Sequence, residues 1–215
     1  VLKLYRKKRV NKSLEKISAT PDSPKLFGYK TIWLAVPSND ALSVVKALGR
    51  KHNAVAANWA SGIEFVNNNH DYVFVSLPIK GWVYVIGLPL GSITHDKKEN
   101  QKFFKFLKKM SSKLSKILYF ATHRVVEFHS WLIVQDSKIL RAFANNGERG
   151  KLYSEGNITD KEKELGVTFS HIDELDERYP EEEDVITLAE EWSLNPTTLV
   201  EYSEEKGGGV LIKWN

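Results

Sequence analysis

Apolar residues in this chain come mostly in short runs, not in one sustained helical rhythm. Residues 29–36 (YKTIWLAV), 72–77 (YVFVSL) and 82–87 (WVYVIG) are dense in β-branched and aromatic side chains, which predicts strands. The last two are joined by PIKG and read as a hairpin. ILYFATH, RVVEFHSWLIV and KILRAFAN predict three further strands, with Asp136-Ser137 and Asn145-Asn146-Gly147 supplying turn chemistry. KLYSEG adds a shorter strand and VLIKW a final one.

Between these runs the period changes to that of helices. Ser38 or Asn39 is placed to cap a helix over DALSVVKAL, with Gly49 at its stop. NWASGIEFV is a second short helix, weakened by Gly62. Residues 97–116 form an amphipathic helix whose apolar side is Phe103, Phe104, Phe106, Leu107, Met110 and Leu114. Thr159 with Glu162 is a capping-box pattern closed by Gly166. EEEDVITLAEEWS begins with acid, which suits the positive end of a helix dipole. In NPTTL, Asn195 is a cap and Pro196 a first helical residue. Gly207, Gly208 and Gly209 read as a flexible turn into the last strand.

This irregular alternation predicts an α+β fold: a largely antiparallel sheet with several peripheral helices, in a single domain over residues 27–215. Tryptophans at 33, 59, 82, 131, 192 and 214 span the chain, which predicts one shared core. Residues 1–26 read as a solvated basic tail. Met110 is the only methionine, and VLKLYRKKRVNK resembles the basic flank of a hydrophobic segment, so the alternative is a tail that follows a removed anchor or signal.

Charge alters the picture more than composition does. Residues 1–30 carry nine Lys/Arg against Glu15 and Asp22, and residues 97–116 carry eight lysines against Glu99. Over 155–205 the balance reverses, with seventeen acidic residues opposed by Lys161, Lys163 and Arg178. The lysines fall on the polar side of a helix without interleaved arginine or exposed aromatics, so nucleic acid is not the expected partner. With no cysteine, disulfides, thiolate metal sites and a cysteine nucleophile are excluded. No phosphate-binding glycine loop or serine-nucleophile elbow is present, and no cofactor or metal is expected. Glu181 to Asp184 lack the alternating oxygen ligands of a calcium loop.

The sharpest hint of chemistry is FATHRVVEFHSWLIV, residues 120–134. As one strand it would place His123, Val125, Glu127, His129, Trp131 and Ile133 on one face. His123 and Glu127 would then stand about 13 Å apart, too far to share a metal. A break near His123-Arg124 would instead put His123 in a hairpin turn. A hydrolase would need His123, Arg124, Glu127 and His129 to converge with a polar loop such as 145–150. The competing reading is a half-buried face in which Glu127 and His129 bond each other or Arg141 across the sheet.

Taken in series, GYKTIWLAV, NWASGIEFV, VFVSLPIKGWVYVIG, THRVVEFHSW, RAFANNGERGK and EEDVITLAEEWSLNPTTL resemble an uncharacterised family of bacterial proteins. The resemblance covers about residues 27–200 and extends to the immunity partners of secreted polymorphic toxins. It implies a protein-binding role and carries over no catalytic residue. On this reading the protein neutralises a basic toxin by direct binding, through an acidic surface of Glu174, Asp176, Glu177, Glu181, Glu182 and Glu183. The expected compartment is the cytoplasm, with a membrane-anchored or periplasmic envelope protein as the alternative.

Overall fold

The computed structural model describes residues 14, 16–49, 54–167, 178–203 and 205–214. In chain order the elements are β1 (Ile32–Pro37), α1 (Ala41–Ala47), β2 (Val55–Asn58), α2 (Trp59–Asn68), β3 (Tyr72–Ser76), β4 (Trp82–Ile86) and α3 (Lys97–Leu114). Then come β5 (Lys116–His123), β6 (Phe128–Gln135), β7 (Lys138–Asn146), β8 (Gly150–Gly156), α4 (Asp160–Glu164), α5 (Glu182–Trp192), α6 (Leu199–Tyr202) and β9 (Gly208–Lys213). The strands form one nine-stranded sheet in the order β2-β9-β3-β4-β1-β5-β6-β7-β8, and every neighbouring pair is antiparallel. The fold is thus the α+β single domain that the sequence predicts.

Five of the six tryptophans, Trp33, Trp59, Trp82, Trp131 and Trp192, do share one core, and Trp214 lies in a second. Helices cover both faces of the sheet and divide its apolar side chains between two layers. On one side Trp33, Trp59, Phe74, Tyr84, Phe120, Trp131 and Phe143 pack beneath α2, α4, α5 and α6. On the other, Leu34, Val75, Val85, Tyr119, Leu132 and Val134 pack beneath α1 and α3. Burial on both faces explains why the central strands read as unbroken apolar runs. An antiparallel sheet with one wet face alternates instead.

Local signals set most boundaries. Asp40, and not Ser38 or Asn39, accepts the Leu42 N–H at 2.9 Å and opens α1. Asn58 caps α2 through Ser61 N at 2.9 Å, and Asp96 caps α3 through Lys98 N at 2.7 Å. Gly62 does not break α2: a Cβ there would strike the Phe74 ring, so the glycine lets helix and sheet touch. Asn195 ties a turn through Thr197 N, and helix resumes only at Leu199. Gly208 and Gly209 are strand residues, not a flexible turn, because side chains there would collide with the Ala57 and Val75 carbonyls beside them. Residues 18–22 also lie against the domain. Ser18 O accepts Asn58 N at 2.7 Å, and the Asp22 carboxylate takes the N–H groups of Trp59 (2.7 Å) and Ala60 (3.0 Å).

A buried ion pair fastens the acidic C-terminal part to the sheet. Glu162 of α4 has no solvent exposure and meets Arg141 of β7 at 2.7 Å. The same carboxylate accepts Trp131 Nε1 at 2.8 Å and both Thr159 N and Thr159 Oγ1 at 2.9 Å. Arg141 spends its remaining donors on Ala142 O, Ser154 Oγ and Glu155 O. Arg141 thus bonds Glu162 and not Glu127 or His129, correcting the expected cross-sheet contact. Glu162→Ala leaves Arg141 charged and unpaired in the interior, which costs about 3–5 kcal/mol. Urea unfolding should register that loss, and a change below about 1 kcal/mol would mean that the pair is dispensable.

Candidate functional site

The segment 120–134 is a hairpin broken after His123, the alternative that the sequence left open, and not one continuous strand. β5 ends at His123, residues 124–126 make a 3₁₀ turn, and Glu127 reverses the chain with φ +48° before β6 begins. The register pairs Thr122 with His129 and His123 with Phe128. Phe128 belongs to the layer under α3, so His123 lies toward that face and His129 toward the opposite one. The shared face expected of a continuous strand is therefore lost at the turn. His123, Arg124 and Glu127 are exposed at the tip, whereas His129 is buried.

The tip is braced from its neighbour. Asn146 Nδ2 and Gly147 N of the β7–β8 turn both donate to Val126 O, at 3.0 and 3.2 Å. A Cβ at Gly147 would strike the Glu127 side chain. Further along the same rim Arg149 Nη1 meets His95 Nδ1 at 2.8 Å. Val125, at 69% exposure, projects from this held turn.

The acidic start of α5 comes down on the same end of the sheet. Glu182 accepts from Lys30 N at 3.0 Å and from the Thr122 hydroxyl. Glu183 accepts the Tyr29 phenol at 2.9 Å, which raises the phenol above its ordinary pKa. Asp184 Oδ2 accepts Glu181 N at 2.7 Å, and its other oxygen takes Arg178 at 2.6 Å. The structure therefore gathers the histidine hairpin, the 145–150 turn and the 181–184 acids at one end of the sheet. Glu174, Asp176 and Glu177 lie outside the described residues. Tyr29, Thr122 and Arg178 were not singled out in the sequence. Thr122 reaches Glu182 from the end of β5, and Tyr29 and Arg178 reach Glu183 and Asp184 from segments outside the strands.

Beneath this rim His129 Nδ1 and Asn145 Oδ1, on cross-strand neighbours, are buried without a hydrogen-bond partner. Burial holds the His129 imidazole below its ordinary pKa of 6.5, although Glu182, Asp184, Glu127 and Glu181 pull it upward. Among the described residues no group of three His, Asp or Glu side chains is placed to hold a metal. No helix among them is long and apolar enough to cross a membrane. Compared with protein-family models, curated proteins and solved structures, the chain matches none.

The depressed His129 pKa makes stability depend on pH with a definite sign. Between the folded value and 6.5 the unfolded chain binds the proton and the native chain does not, so stability rises with pH in that window. Acidification below about 6.5 should lower the urea midpoint of the wild type. His129→Gln should flatten that segment of the curve, and an unaltered slope would assign the effect to other groups.

Proposed function

We propose that the protein acts without catalysis, by binding another protein, as an immunity protein that neutralises a bacterial toxin by direct contact. The observation that carries this reading is the sorting of charge by layer. Helices α4, α5 and α6, on one face of the sheet, carry the exposed acids Glu183, Glu190, Glu191 and Glu201, with Asp160 and Glu164 besides, each already paired with a lysine. Their lysines are spent locally, Lys163 on Asp160 at 2.8 Å and Lys161 on Glu164 at 2.9 Å. On the other face α3 carries seven lysines and a single acid, Glu99.

The carboxylates at the start of α5 suit such a role for a further reason. Glu182 and Glu183 are held by neutral donors: a backbone N–H, a threonine hydroxyl and a phenol. Bonds of that kind fix the position of a charge without cancelling it. A pre-positioned negative field speeds encounter with a basic partner and penalises acidic ones. Asp184 is excluded from that field because Arg178 neutralises it.

The test is capture of the partner from the source cell with a tagged chain after nuclease treatment, followed by stopped-flow association. A single basic protein held at a one-to-one ratio through moderate salt is the expected result. Glu183→Lys with Glu190→Lys and Glu191→Lys should slow its association about tenfold or more at low salt and flatten the salt dependence. Unchanged rates in that variant would detach the acidic layer from binding.

A further inference from the structure

We infer that the outer face of α3 is a docking surface for an anionic lipid bilayer. Lys98, Lys102, Lys105, Lys109 and Lys113 follow one another at intervals of four and three residues, which on an α-helix is a single straight ridge. All five are exposed. The ridge is about 22 Å long at ~1.5 Å rise per residue. Phe103, Phe104, Leu107 and Met110 lie on the opposite side of the helix, buried against the sheet, so the helix cannot roll and the ridge faces outward.

These ammonium groups are not balanced from within. Among the described residues no carboxylate stands within ion-pair distance of any of the five. Lysines four apart on a helix repel one another, and the usual remedy, glutamate at the intervening positions, is limited to Glu99. A surface that keeps such repulsion is matched to an external layer of negative charge.

The form of the ridge selects a bilayer over nucleic acid. It is built of lysine alone, a hydrated point charge, without the planar arginine fork that grips phosphate bidentately. The aromatic residues of α3 are turned inward, so none is free to stack on a base. A straight convex ridge meets a plane of headgroups along its whole length, whereas a strand of nucleic acid needs a groove. Each lysine close to such a surface adds attraction, so five in line suffice for measurable adsorption. The acidic helices on the far face of the sheet are repelled by the same headgroups. Adsorption therefore has one orientation, with α3 down and the acidic layer toward solution. None of this depends on the toxin-neutralising reading.

The experiment is co-sedimentation of the full chain with vesicles of phosphatidylserine in phosphatidylcholine, against phosphatidylcholine alone. The variant Lys102→Gln, Lys105→Gln, Lys109→Gln, Lys113→Gln is compared, with circular dichroism melting as the control for folding. Lys105→Glu is a second variant, since it places a glutamate four residues before Lys109 and supports the helix. The wild type should sediment only with the phosphatidylserine vesicles and be released by salt. The fourfold variant should bind at least about tenfold more weakly, and Lys105→Glu should bind more weakly than the wild type. Equal binding by the fourfold variant, or a wild type that ignores phosphatidylserine, overturns the inference. So does lysine-dependent binding to duplex DNA without binding to vesicles.

Discussion

A carboxylate shut away from water constrains this molecule more than any other group. Glu162 gathers donors from β6, β7 and the loop before α4, and of these Trp131 and Arg141 have been stripped of solvent in the process. Once Arg141 is buried its charge must be answered, and Glu162 of α4 answers it. That requirement seats α4 on the sheet, and Leu165 and Val167 then extend the core toward α5. Arg178, reaching from Leu165 O to Asp184, ties the end of α4 to the first turn of α5. The desolvated pair thus joins the apolar side chains of α5, Val185, Leu188 and Ala189, in placing the acidic layer.

The sheet acts as a divider between two populations of charge. Two packed layers and a strand layer lie between the lysines of α3 and the acids of α5, too far for direct pairing, and water screens what remains. Each side therefore presents its own field to its surroundings. A domain arranged in this way has an electrical direction, and that direction is built into which helices pack on which face.

Much of the architecture was legible in the chain. The strands announce themselves because both faces are buried, and the capping box at Thr159 and Glu162 survives intact in the structure. The turn at 124–127 was only half legible: a break near His123-Arg124 could be read, but RVV is itself strand-like and Glu127, a residue that rarely takes positive φ, reverses the chain. That one turn decides which face each histidine occupies. The 181–184 run reads in sequence as free surface, yet Glu182 and Asp184 hold the fold together, and only the register linking Thr122, Lys30 and α5 reveals it. Gly208 and Gly209 misled for a similar reason: their role lies in strands distant along the chain.

The position of β9 has a consequence for synthesis. Residues 208–213 fill the space between β2 and β3, pairing Val55 with Leu211 on one side and Val73 with Ile212 on the other. Until they leave the ribosome, β2 has no neighbour and β3 presents an open edge. The Asp22 main chain likewise waits for Gly207. The nascent polypeptide thus carries an unfinished, sticky border while residues 77–207 are being made. Closure comes as a late insertion rather than by growth outward from the first hairpin, and the interval before it is when a chaperone would have the most to shield.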